Sequence, residues 1–211
     1  MITVKTDPGE FASYLEDTSN LKGNASKLSI PSNIEETREV VVNCSSNSIP
    51  LTISGSRTGT TAGSVPLGGE IVSLEKLNKI IKIDKDDDGR FYIDVEAGLT
   101  LEEMYAHLKR YSLFFPPSPT EPLASVGGII STCASGSSSF KYGSVRNWIK
   151  KIKVILCDGE VVDILRGRYF FRGDIFSQKV GNKKFYLKLP SYQTRLKNLL
   201  QVIFQGKIWI W

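Results

Sequence analysis

Cysteine is scarce in this 211-residue chain: only Cys44, Cys133 and Cys157 occur. Their odd count and wide spacing exclude a complete disulfide framework and any CxxC metal or redox motif. Free thiols suit a reducing compartment, so a cytoplasmic location is expected. Histidine is scarcer still, with His107 alone. No nucleophile–base–orienter triad can be assembled around it, so a surface or packing role is expected and the catalytic residues stay unknown. No apolar run reaches the roughly 18–20 residues that a membrane-crossing helix needs. The first residues carry Asp7, Glu10 and Glu16 and lack the apolar segment of a secretory signal. The balance is mildly basic, at +5 with a pI near 9.0. Blocks of consecutive lysines and arginines are missing, however, so nucleic acid is not an expected partner.

The hydrophobic share of 41% against 23% charged residues is that of an ordinary folded chain, so the length admits one sizeable domain or two small lobes. Residues 1–34 are polar and weakly patterned and read as an N-terminal leader, although Phe11, Tyr14 and Leu15 could face a core from a short helix. Residues 34–44 read as a helix or a short apolar strand. Residues 49–53, 71–74 and 91–95 read as strands, the last by strict alternation. Leu77 to Ile83 is a further apolar stretch. Thr100 and Glu103 form a T-x-x-E capping box that opens a helix running to about Arg110. Pro116, Pro117 and Pro119 then impose an extended path. Lys151 to Leu156 and Val161 to Ile164 flank Asp158-Gly159 as a hairpin. The expected fold class is α+β. Asp84, Asp86, Asp88 and Gly89 begin like a calcium-binding loop, but its twelfth position is Val95 and the bidentate Glu is missing. A solvated turn is expected there, and no metal site.

Two segments of small residues carry the chemistry. The first, Ser54-Gly55-Ser56-Arg57-Thr58-Gly59-Thr60-Thr61-Ala62-Gly63-Ser64, follows a strand. Small side chains let backbone amides approach a phosphate, and successive amides make an anion-binding concavity. A flexible hairpin or linker is the competing reading. The segment is neither a P-loop nor a G-x-G-x-x-G fingerprint, and a strand follows it, so phosphate binding would rest on loop amides. The second runs from Ser118-Pro119-Thr120 through Ser125-Val126-Gly127-Gly128-Ile129 and Thr132-Cys133-Ala134-Ser135-Gly136 to Tyr142-Gly143. An ordered pair of such loops suits a long dinucleotide better than either loop alone.

Four motifs in order resemble the FAD-binding domain of the vanillyl-alcohol oxidase and p-cresol methylhydroxylase family, in its glycolate oxidase and D-lactate dehydrogenase branch. They are the first loop closed by Val65-Pro66, then Val95-Glu96-Ala97-Gly98, then Pro116-Pro117-Ser118-Pro119-Thr120, and finally Gly127 to Gly143. The resemblance covers about residues 35–165. It implies two α+β subdomains with FAD between them, and oxidation of a hydroxy acid by hydride transfer to the flavin. It further implies diphosphate contacts from Ser54, Gly55, Ser56, Arg57, Thr58, Gly59, Gly63 and Ser64. Pro117, Pro119, Thr120, Ser125, Gly127, Gly128, Thr132, Ala134, Gly136 and Tyr142 would line the remainder of the cofactor. Relatives commonly have Gly where Ser56 and Arg57 stand, Asn at Cys133 and Gly at Ser135.

A covalent flavin in this family hangs from a His or Cys. Neither loop holds a His, and Cys133 reads as a plain loop residue, so FAD is expected to bind non-covalently. The expected organisation is an FAD-binding domain over residues 35–195 and a divergent tail over 196–211, with the substrate-binding cap of longer relatives missing. A truncated chain, or a non-catalytic FAD-binding or assembly subunit completed by a partner subunit, are the alternatives to an enzyme acting on a small hydroxy acid with a separate electron acceptor.

Overall fold

The computed structural model describes residues 1–189. The expectation of a divergent tail over 196–211 lies outside the described residues. The described residues form two compact units, residues 1–166 and residues 167–189.

The first unit opens on a mixed sheet of β1 (Thr3–Lys5), β2 (Lys27–Ile30), β3 (Leu51–Ser54) and β4 (Glu70–Ser73), in the order β1-β2-β4-β3. β1 runs antiparallel to β2, whereas β2 and β3 both run parallel to β4, with Lys27 and Leu51 in register with Glu70. Parallel strands need a crossover, and α1 (Ile34–Ser46) supplies it between β2 and β3. Its start is set by Asn33, whose side chain accepts from the Glu36 amide at 2.9 Å, with Glu35 and Glu36 in the positive first turn. Thr37, Val40 and Cys44 recur at helical spacing and are buried, Val40 and Cys44 packing with Val72 of β4. The open choice for residues 34–44 is thereby settled as helix.

The leader expected over residues 1–34 is not what forms. β1 and β2 belong to the sheet, and Phe11, in a 3-10 segment from Pro8 to Tyr14, is wholly buried against Leu28, Ile30 and Ile71. Each such side chain contributes about 1.5–3 kcal/mol by leaving water, so the segment is part of the folded unit. Weak local patterning hid it, because its apolar partners lie in distant strands.

Two antiparallel hairpins follow, β5 (Ile80–Lys85) with β6 (Phe91–Val95), and β7 (Lys151–Ile155) with β8 (Val161–Leu165). The turn of the first lies at Asp86 to Gly89, as expected, and that of the second at Gly159, whose φ of 83° suits glycine. Between them lie α2 (Leu101–Lys109), α3 (Val126–Ser131) and the single turn α4 (Ser139–Tyr142). Leu99, Leu101, Met104 and Leu108 pack with Val126, Ile129 and Val145 in a core of their own. In the second unit, β9 (Ile175–Val180) pairs antiparallel with β10 (Lys183–Lys188).

Candidate functional site

The first loop leaves the sheet at the carboxyl end of β3. Ser54 is fully buried there, and its carbonyl accepts from the Leu74 amide at 3.0 Å, tying the loop's root to the end of β4. The backbone then enters the left-handed region at Arg57 and again at Ala62, both at φ 59°. Those conformations are uncommon for residues other than glycine, which explains why glycine suits position 57. No described residue accepts a hydrogen bond from the amides of Ser56 through Gly63. Backbone donors left without a protein acceptor need water or a ligand. A Cβ built on Gly63 would meet nothing within 4 Å, and one on Gly59 only the Asp17 carboxylate, at 3.9 Å. The space over this stretch is open.

The second segment departs from the loop expected between Ser125 and Gly143, since its first part is helical. Ser125 is the N-cap of α3, its hydroxyl accepting from the Gly128 amide at 3.3 Å, while Val126 and Gly127 donate to the carbonyls of Leu99 and Ala97 at 2.8 Å each. Residues with low helix propensity are held in this turn by capping and by packing. A Cβ on Gly127 would come within 2.9 Å of the Ala97 Cβ, so only glycine lets α3 lie this close to the turn between β6 and α2.

The two segments meet at one point. A Cβ on Gly55 would stand 2.3 Å from the Ser125 hydroxyl and 3.4 Å from its Cβ. Beside that contact is a cavity of about 300 Å³, lined by Gly55, Ser56 and Arg57 of the first loop and by Gly98, Thr100 and Glu103. Glu75, Asn78 and Leu123 complete it. Glu103 closes the capping box with Thr100, its carboxylate accepting from the Thr100 amide at 3.0 Å. Glu75 accepts from the Tyr14 hydroxyl at 2.5 Å and from Ser73 at 3.1 Å. Burial first, and then the bond to Glu75, push the Tyr14 phenol up to about 12. The cavity thus offers a cation and loop amides to an anion, and carboxylate oxygens to hydroxyl donors. Glu75 and Asn78 were missed by sequence reasoning, because nothing local marks them, and Tyr14 was seen only as a possible core residue. Thr100 and Glu103 were seen only as a cap.

Farther along, Pro117 and Pro119 are buried while Thr120 is exposed. Gly136 abuts this run, since a Cβ there would stand 2.2 Å from the Ser118 carbonyl oxygen. Thr132 and Ala134 follow α3, the Thr132 hydroxyl donating to the Gly128 carbonyl at 2.9 Å. Cys133 is left-handed at φ 51°, with its sulfur 3.3 Å from the Ser144 hydroxyl. That hydroxyl chiefly, together with Arg146, holds the Cys133 thiol below its usual range, against burial. Tyr142 lies edge-on to Phe114 and Trp148, each ring 6.3 Å away. Gly55 and Ser125, and Gly136 and Ser118, are thus brought together. His107 lies on α2 with its ring centroid 5.5 Å from that of Tyr111. Cys44, Cys133 and Cys157 form no disulfide among the described residues, and Cys44 is buried.

A model of the family described as FAD binding domain matches residues 25–165. The chain belongs to that family. This FAD-binding domain is 38% identical over 131 residues to the D-lactate dehydrogenase of Anaerostipes hadrus, a match covering 62% of the chain and 27% of that protein. To the D-2-hydroxyglutarate dehydrogenase of Xanthomonas citri pv. viticola it is 31% identical over 166 residues, covering 77% of the chain and 34% of that protein. The resemblance drawn from the four motifs, and its hydroxy-acid branch, are borne out by these relatives. Among solved structures, an alkyldihydroxyacetonephosphate synthase superposes with a TM-score of 0.69 at 16% identity, over 79% of the chain and 33% of that structure. That likeness shows the fold alone, α+β as expected. The FAD-binding domain spans about a quarter to a third of the length of the curated relatives it matches. Among the described residues, no helix is long and apolar enough to cross a membrane.

Proposed function

We propose that this chain is the FAD-binding part of an oxidoreductase acting on a small 2-hydroxy acid of the D-lactate or glycolate kind. The observation that carries the reading is the contact of Gly55 with Ser125, which joins the two loops beside a cavity over unpartnered amides. A volume of about 300 Å³ suits a diphosphate and its near neighbours rather than a whole dinucleotide. The first loop, Ser54 to Gly59 with Gly63 and Ser64, takes the diphosphate through its amides and Arg57. The remaining length of FAD follows Pro117, Pro119, Thr120, Ser125, Gly127 and Gly128 toward Thr132, Ala134, Gly136 and Tyr142. FAD, when bound, supplies the acceptor for a hydride from the substrate's hydroxyl-bearing carbon.

Cys133 is engaged with Ser144 and neither loop holds a histidine, which supports non-covalent attachment. The reducing-compartment argument from the free thiols extends to a cytoplasmic setting. Hydride transfer needs the substrate carbon about 3–3.5 Å from the acceptor atom and a base near its hydroxyl. No base for that step is identified among the described residues, so the flavin-loaded chain alone, given D-lactate or glycolate and a dye acceptor, is expected to turn over almost nothing. Acid precipitation of the chain after incubation with FAD tests the binding. All flavin passes to the supernatant if the reading holds. Flavin retained in the pellet overturns the non-covalent attachment, and a chain that takes up no flavin overturns the function.

A further inference from the structure

Residues 14–18 lie before the segment matched by the family model, yet they touch the diphosphate loop at three places. The Arg57 guanidinium lies over the Tyr14 ring, 4.1 Å from its centroid. The Arg57 carbonyl accepts from the Thr18 amide at 3.2 Å and from the Thr18 hydroxyl at 3.4 Å. Asp17, only 8% exposed, accepts from the Ser64 hydroxyl at 3.3 Å and from the Ser19 amide at 2.9 Å. We propose that residues 14–18 form a strap that holds the first loop in its binding conformation, with Tyr14 and Asp17 as positioning residues.

The physical need is plain. A loop of Gly, Ser and Thr has many conformations, and two of its non-glycine residues are held in the left-handed region, which costs free energy unless surrounding contacts over-determine it. The strap grips that loop near both ends, at Arg57 and at Ser64. It is itself anchored by Phe11, wholly buried in the sheet's core, and by the Gly23 amide donating to the Leu15 carbonyl at 2.7 Å. The Tyr14 hydroxyl donates to Glu75 at the cavity wall, beside the ring that carries the Arg57 cation. Stacking on an aromatic face fixes a guanidinium's direction while leaving its edge available for hydrogen bonds, and one nitrogen of Arg57 donates to the Gly55 carbonyl at 3.2 Å.

The reading of that loop as a diphosphate site rests on the proposed function, but the strap has a readout of its own. Trypsin must seat the Arg57 side chain in its pocket to cut after it, so cleavage there, followed by mass spectrometry on the full chain without FAD, reports release from Tyr14. Tyr14→Leu and Asp17→Ala each raise that rate about fivefold or more, whereas Tyr14→Phe, which keeps the stacked ring, stays near wild type. Cleavage after Lys109 and Arg110 at the end of α2 stays unchanged. Unchanged cleavage after Arg57 in both variants overturns the strap, and so does a rise at all three sites together, which means general loosening. In titrations with FAD, the two fast-cleaving variants bind roughly tenfold more weakly, and equal affinity shows that the held conformation is not the binding one. If the wild-type chain takes up no FAD while the cleavage pattern holds, the cofactor reading falls and the strap stands.

Discussion

Gly59→Val separates the ligand's need for space from the fold's. Gly59 is outside the left-handed region, and the nearest atom to a Cβ there is the Asp17 carboxylate oxygen at 3.9 Å, an ordinary contact. Replacing glycine at such a position also removes freedom from the unfolded chain, worth about 0.4–1 kcal/mol in the folded state's favour. The thermal midpoint therefore moves by no more than roughly 4 °C in either direction. Binding responds differently. The added isopropyl group stands over amides that have no protein acceptor and keeps a phosphate oxygen from reaching them. Each charge-assisted hydrogen bond lost costs about 1.5–3 kcal/mol, so FAD affinity falls at least about tenfold. Titration of flavin fluorescence against wild-type and variant chains, beside far-ultraviolet dichroism and a melt, measures both quantities. Affinity within a factor of about two of wild type, at a resolution set by the free-energy scale, refutes the placement of the diphosphate on this loop. A collapsed fold refutes the claim that the space is empty of protein.

Two further perturbations address the frame around the site. Gly55→Ala pushes the Ser125 hydroxyl out of its capping position, so it destabilises by about the 0.5–2 kcal/mol of a lost N-cap. Ser125→Ala loses the same cap, and the double variant, left with only the 3.4 Å contact to the residue-125 Cβ, unfolds at nearly the same denaturant concentration as either single one. Additive losses would falsify the described contact. Tyr14 carries a phenol raised to about 12 from 10.0, so its neutral form favours the folded state. That contribution is intact below pH 10.0 and disappears as pH rises through about 12. Tyr14→Phe should flatten the stability profile across this window, and an unchanged slope in alkaline melts contradicts the assigned cause.

Local chemistry made much of the fold legible. The capping box of Thr100 and Glu103 marks the start of α2, and both the Asp86 to Gly89 and the Asp158-Gly159 turns sit where the hairpins reverse. Each signal lies within a few residues of what it specifies. α3 was not legible, since Gly127 and Gly128 oppose helix by propensity, and the turn exists because Ser125 caps it and Ala97 receives Gly127. Phe11 was ambiguous for the same reason, its burial resting on Leu28, Ile30 and Ile71 from strands far along the chain. At the site, small residues announced both loops because close approach needs them. The Tyr14–Arg57 stack and the cavity-facing Glu75 are tertiary contacts and left no local trace.

The meeting of Gly55 with Ser125 also dictates an order of events during synthesis. Strands β2, β3 and β4 are all made before residue 74, so the sheet can close while the chain is still emerging. At that stage the cleft has a single wall, for α3 and the segment that Val126 and Gly127 bind have not been joined. Pairings between segments so distant along the chain form late, because the connecting stretch must first lose its freedom. On the proposed placement of the cofactor, its capture follows closure of the sheet instead of assisting it, and a nascent chain halted before Ser125 would display a finished first loop with nothing to shut it.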